Sequence, residues 1–180
     1  LSAMAAYALS KIRFKGSGLV YLFFLIGLMV PGEATIIPLY IICNRLHLLD
    51  SYVGIMAPTI AVSMNMIILT NFFKGIPDEL IEAAIIDGAG HGKIFARLIL
   101  PLSKPVLVTV AIFAFMASWN NYLWPFLCAM DENIFTLPVG IPTFIGQYSI
   151  DYVVPLTASM VASIPAIVAY LLLERYIVEG

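Results

Sequence analysis

Apolar residues in this chain fall in long blocks parted by short polar interruptions, and the blocks approach the ~20 residues that a helix needs to cross a ~30 Å hydrocarbon core. They cover about residues 1–9, 19–43, 52–73, 105–126 and 152–173. The first reads as the end of a spanning helix whose start precedes Leu1, and a basic turn of Lys11, Arg13 and Lys15 follows it, closed by Gly16, Ser17 and Gly18. The second is interrupted by Pro31, Gly32 and Glu33 and again by Pro38. Such breaks persist in a membrane helix only where protein or water meets the freed backbone. The third holds Pro58 and Asn65, and the fourth ends in Trp119, Asn120, Asn121, Tyr122 and Trp124, a cluster suited to a headgroup boundary. In the last block Ala158, Ala162 and Ala166 recur at four-residue spacing beside Ser159 and Ser163, a stripe expected to touch protein rather than lipid. The pattern predicts an all-α fold, a polytopic transmembrane helical bundle forming a single domain over residues 1–180.

Lys and Arg in short loops are retained on the cytoplasmic side, so their distribution orients the bundle. Of the nine basic residues, one alternating assignment puts Lys11, Arg13, Lys15, Lys74, Lys93, Arg97, Lys104 and Arg175 inside and leaves only Arg45 outside. The loop over 75–104 is then cytoplasmic, and the connections at 44–51 and 129–151 are external.

The cytoplasmic loop carries helix chemistry. Pro77 suits a first helical position, Asp78 and Glu79 meet the positive end of the helix dipole, and Leu80, Ile81, Ala84 and Ile85 line one face against acidic Asp78, Glu79 and Glu82. Gly88, Gly90 and Gly92 permit positive backbone angles and a reversal, after which Ile94, Phe95, Leu98 and Ile99 make a second apolar face that Pro101 and Pro105 end. An amphipathic pair of this kind can lie flat on a bilayer, but interfacial helices display Lys and Arg. An acidic polar side is repelled by anionic lipid and better suited to a basic protein groove.

Composition narrows the picture further: 62% hydrophobic and 11% charged residues exclude a water-soluble monomer. A net charge of −2, with basic residues scattered, excludes nucleic acid as the partner. Cys43 and Cys128 are expected as buried hydrophobes, and His47 and His91 have no second ligand at metal spacing, so no metal site is expected. Neither a nucleophile elbow nor a phosphate loop is present, and the chain is not expected to be an enzyme. Glu33, Asn65, Asn120 and Asn121 lie at or near membrane depth, where polar groups face a pathway or another helix.

Glu82-Ala83-Ala84, then Gly88, Leu98 and Leu100-Pro101 at their spacing, resemble the EAA loop of permease subunits of ATP-binding-cassette importers. Ala5-Ala6-Tyr7-Ala8 before Arg13-Phe14, Pro31-Gly32-Glu33 with Ile37-Pro38-Leu39-Tyr40, Trp119-Asn120 with Leu123-Trp124-Pro125, and Thr136-Leu137-Pro138-Val139-Gly140 are similar to the carbohydrate branch, the maltose-transporter-type second permease. The resemblance implies a multi-pass subunit of the bacterial cytoplasmic membrane that forms half of a sugar pathway, with a further membrane helix before Leu1. Its implied partners are a second permease, two cytoplasmic ATP-binding subunits, an external solute-binding protein and membrane lipid. ATP is bound by the ATPase subunits, and no cofactor belongs to this chain. The resemblance implies an ATPase interface at Glu82, Ala83, Ala84, Asp87 and Gly88, a coupling helix pair turned at Gly88, and binding-protein contacts at Gln147 and Tyr148 in the last external loop. The rival reading is a secondary transporter or channel without an ATPase partner, which has no use for the acidic amphipathic pair.

Overall fold

A computed structural model describes residues 1–145 and 152–178, with side chains to 172. The described residues are helical throughout their regular structure. The elements are α1 (Ser2–Lys11), α2 (Ser17–Met29), α3 (Gly32–Arg45), α4 (Tyr52–Met56), α5 (Ser63–Lys74), α6 (Asp78–Ile86), α7 (His91–Leu102), α8 (Lys104–Trp119), α9 (Leu123–Cys128), α10 (Leu137–Gly140) and α11 (Val153–Val178). Only Val153–Leu172 is by itself long and apolar enough to cross a membrane among the described residues, and three broken pairs meet that test only jointly. The block over 19–43 is divided where expected, at Pro31, into α2 and α3.

The chain forms two compact units. The first includes Leu1–Val30 and Ala61–Ile112. Its core joins Ala6 and Tyr7 of α1 to Met66, Ile67, Leu69 and Phe73 of α5, and extends to Ile76, Ile81, Ile94, Ile99 and Val110. The small residues Ala3, Ala5 and Ala6 let α1 approach α5 closely, which is why Ala6 and Phe73 are both fully buried. Tyr21 of α2 donates to Asn71 at 3.1 Å, and the Lys74 ammonium lies 4.4 Å over the Tyr21 ring.

The second unit comprises Pro31–Ile60 and Phe113–Leu172. Its core holds Cys43, Trp124 and Cys128, with Leu39, Tyr40, Leu48, Leu49 and Ile55 packed around them. Both cysteines are free and buried, as expected of small hydrophobes. Asp50, in the left-handed region at φ 56, donates its N–H to the Cys128 carbonyl at 2.7 Å and accepts from the Met130 and Asp131 amides at 2.8 Å each. The two tryptophans also tie segments of this unit together. Trp124 is buried and donates to the Gly54 carbonyl at 3.1 Å. Trp119 donates to the Ala162 carbonyl of α11 at 3.0 Å, three residues before Pro165, where the proline ring disturbs the helical ladder. Both indoles spend their N–H within the protein.

Outside these cores the surface is strongly apolar: Leu19, Phe23 and Met29 of α2 are 73%, 71% and 82% exposed. Such a surface is stable against lipid or other chains and not against water.

A glycine-turned helix pair as the candidate functional site

The loop after α5 becomes two helices joined by a four-residue turn. The first, α6, starts one residue after Pro77, with Asp78 and Glu79 in its first turn. It ends in a Schellman arrangement. Gly88, at φ +78, donates to the Ile85 carbonyl at 2.9 Å, and Ala89 donates to the Ala84 carbonyl at 2.9 Å. Ala84 and Ala89 pack against the core beside this reversal, supplying its usual apolar contact. Of the three loop glycines only Gly88 takes a positive angle. Gly90 is extended at φ −73, and Gly92 lies inside α7, because one left-handed residue suffices to reverse the chain.

The second helix ends at Leu102, between Pro101 and Pro105, and so takes in Pro101 itself. Pro101 has no N–H for the Arg97 carbonyl and crowds it. The preceding segment, Phe95–Ile99, is wound as a π-helix in which the Leu100 amide reaches the Phe95 carbonyl, and this wider turn accommodates the ring. The chain then bends by 84° into α8.

The pair has an inner and an outer side. Ile81, Ile94 and Ile99 are 5%, 2% and 0% exposed and hold both helices to the core. The apolar stripe expected on α6 is divided: Ile81 and Ala84 turn inwards, while Leu80, Ile85 and Ile86 are exposed. The acidic side is divided too, since Asp78 bonds within the chain and Glu79 and Glu82 face outwards. Of the five expected interface residues, Glu82, Ala83, Asp87 and Gly88 are exposed and Ala84 is half-buried. Glu82 borders a hollow of about 170 Å³ together with Arg13 and His91.

Two side chains of α1 reach this pair, contacts that the sequence does not announce for either. Lys11 donates to the Ile76 carbonyl and pairs with the Asp78 carboxylate at 2.6 Å. The Tyr7 hydroxyl meets His91 Nδ1 at 3.0 Å, and its ring lies 5.4 Å from that of Phe95. The spacing of Tyr7 and Lys11 was a possible clue, since residues four apart share a helix face.

The bond from Lys11, and then its charge, hold the Asp78 carboxyl below the usual carboxylate range. A depressed folded value stabilises at high pH: the contribution is full above the unfolded value of about 3.9 and disappears between that and the lower folded value. Thermal unfolding of wild type and Asp78→Asn should therefore differ near neutrality and converge only below the ordinary carboxylate range. Convergence at higher pH would contradict the pairing.

The other expected site residues lie apart from this pair. Glu33 is exposed in the first turn of α3, Asn65 is half-buried in α5, and Asn120 and Asn121 occupy the break between α8 and α9. None of their side chains makes a hydrogen bond to protein among the described residues, so all four remain able to bond a solute. Gln147 and Tyr148 lie outside the described residues.

The family model for the binding-protein-dependent transport system inner membrane component matches residues 1–179. The chain belongs to this family. It is similar to the arabinooligosaccharides transport system permease protein AraQ of Halalkalibacterium halodurans, 34% identical over 179 residues, which are 99% of this chain and 64% of that protein. It is also similar to the sn-glycerol-3-phosphate transport system permease protein UgpE of Pectobacterium atrosepticum, 35% identical over all of this chain and 65% of that one. The chain thus spans slightly less than two thirds of the length of these relatives. Among solved structures, a bacterial ABC transporter involved in the import of the acidic polysaccharide alginate superposes with a TM-score of 0.87 and 26% identity, over 97% of this chain and 66% of the compared one. Membership places the protein among inner-membrane components.

Proposed function

We propose that this chain is the permease subunit of an ATP-driven, binding-protein-dependent sugar importer, and that it forms half of the translocation pathway. The observation that carries the reading is the two-sided helix pair. A surface helix held by a buried inner face, yet leaving Ile85, Ile86, Glu82 and Asp87 uncovered, has the form of a helix that enters a partner's groove. Its partner is a cytoplasmic ATPase subunit, present in two copies, which binds the ATP; this chain supplies no chemistry of its own. A second permease completes the pathway, and an external solute-binding protein meets the last external loop, with Gln147 and Tyr148 as its contacts. Family membership and the names of the relatives support the permease role and the ATPase and solute-binding-protein partners.

The stretch 113–172 contains no Lys or Arg. Asn120 and Asn121 therefore offer hydrogen bonds without a positive charge nearby in sequence, which favours a neutral saccharide over a phosphate or an acidic sugar. The test is copurification of the full-length protein with its genomic neighbours, with mass identification, followed by uptake of a neutral arabino-oligosaccharide and of glycerol phosphate into vesicles. ATP-dependent uptake of the first alone is expected. Uptake without ATP, and without a copurifying ATPase, would return the secondary-transporter reading.

The orientation proposed from the basic residues is tested separately. In a background lacking Cys43 and Cys128, single cysteines near Gln147 should react with an impermeant reagent in intact cells, and those near Gly90 only after lysis. The reverse pattern would invert the topology.

A further inference from the structure

The connection between α5 and α6 is three residues long, Gly75, Ile76 and Pro77, and α6 could pivot on it. Lys11 spans this pivot. Its ammonium bonds the Ile76 carbonyl on one side of Pro77 and the Asp78 carboxylate on the other, and its side chain is only 2% exposed. The Lys11 stem is packed away and its ammonium is held by two acceptors, while the Asp78 carboxylate is 61% exposed, so the pair acts as a geometric tie across the pivot more than as a strong ionic bond. One turn earlier on the same face of α1, Tyr7 is 5% exposed and touches the second helix through His91 and Phe95. The face of α1 marked by positions 7 and 11 therefore contacts both helices of the pair, while the remainder of α1 is packed on α5.

We infer that Lys11 and Tyr7 are positioning residues that lock the helix pair to α1, so that a displacement at the outer face moves the pair, α1 and α5 as one rigid body. The inference rests on the docking reading above and adds to it the residues through which the stroke enters the membrane helices. Without the two links only the apolar packing of Ile81, Ile94 and Ile99 holds the pair, and such non-directional contacts let it pivot at Gly75–Pro77 and absorb part of the motion. Family membership assigns no such role to either residue, and the outer-face residues Glu82 and Asp87 are not involved in it.

The test uses the full-length protein in its complete assembly, reconstituted in lipid vesicles, with Cys43 and Cys128 replaced by Ala and spin labels on Met4→Cys in α1 and Lys93→Cys in α7. Wild-type linkage should give one unchanged distance with and without ATP and vanadate. Lys11→Met keeps the aliphatic stem and removes the charge, and a second distance should appear on adding ATP. Lys11→Arg should restore the single distance. Tyr7→Phe keeps the ring on Phe95 and loses only the hydroxyl, so a smaller second population is expected; this milder change also serves if Lys11→Met fails to assemble. A distance that changes with ATP in the wild-type linkage would overturn the inference, as would a single unchanged distance in both Lys11→Met and Tyr7→Phe. Loss of the ATPase subunit from Lys11→Met would overturn it as well, because the link would then build the docking face rather than steer it. Failure of the docking reading shows in another measurement, full retention of the ATPase subunit by Glu82→Ala and Gly88→Val in the absence of any spin label.

Discussion

Purified assemblies carrying Gly88→Val are expected to lose the ATPase subunit and solute uptake, while the permease still inserts and still pairs with the second permease. Gly88 sits at φ +78, and a Cβ added there would meet nothing within 4 Å. The cost of substitution is therefore backbone strain alone, on the order of 1–2 kcal/mol for a β-branched residue in the left-handed region. The chain relieves it by leaving that region, which breaks the Gly88 to Ile85 and Ala89 to Ala84 bonds and re-aims α7 relative to α6. Gly88→Asn should retain most of the subunit, because Asn tolerates the left-handed conformation. That contrast separates backbone angle from side-chain bulk. Glu82→Ala removes an exposed acceptor without touching the turn, and about 1–3 kcal/mol of docking energy should go with it if a donor in the partner's groove is left unpaired. Wild-type retention and uptake in both Gly88→Val and Glu82→Ala would eliminate the coupling role of the pair.

The second large effect is expected at Gly54→Ala, which should unfold the second unit at markedly lower temperature than wild type. A Cβ at this position would lie 1.9 Å from the Leu48 carbonyl oxygen, 2.9 Å from the Leu48 carbonyl carbon and 3.0 Å from Cys128 Sγ. None of these can move freely. The Leu48 amide donates to the Cys43 carbonyl at 2.9 Å, and the Leu48 carbonyl accepts from the Ser51 hydroxyl at 2.6 Å. That hydroxyl in turn accepts from the Gly54 amide at 3.0 Å, and the Gly54 carbonyl accepts from Trp124. Cys128 is tied through its own carbonyl to Asp50. Overpacking against such a frame, with one of these bonds lost, costs roughly 3 kcal/mol. Gly32→Ala, where a Cβ meets nothing within 4 Å at the start of α3, should be neutral or slightly stabilising. Thermal unfolding in detergent reads the difference, and the thiol of Cys128, fully buried in wild type, should become reactive in Gly54→Ala at moderate temperature. Equal melting of the two glycine variants would show that the 48–54 turn yields more easily than its bonds suggest.

How far each feature was legible depended on the range of the interaction behind it. The turn at Gly88 is local: an acidic first turn, an apolar face of 3.6-residue period and a glycine at the end specify a helix and its cap within eleven residues, 78–88. Glycine permits the left-handed region without requiring it, and of Gly88, Gly90 and Gly92 only Gly88 enters it. Pro101 and Pro105 bracket the end of α7 as proline chemistry implies, and what no local pattern announces is the π-turn before Pro101 that seats its ring. The carbonyls that the two tryptophan N–H groups find lie 43 and 70 residues away in sequence, beyond the reach of any local pattern.

The alternation of apolar and polar stretches by itself determined the all-α class, because every backbone group in lipid must be satisfied within its own segment and the length of each block is set by the bilayer. It also determined the existence of the amphipathic pair and its turn, both products of short-range periodicity. Only the tertiary structure decided that Asp78 pairs with Lys11, that Ala84 turns inwards, that Tyr7 meets His91 and that Asp50 bonds residues 130 and 131. Each of these joins segments 65 or more residues apart, or depends on which side of a helix the core claims. Periodicity fixes the faces of an element but not what lies against them, and a charge that orients the chain by its side of the membrane reads in sequence the same as one that holds two helices together.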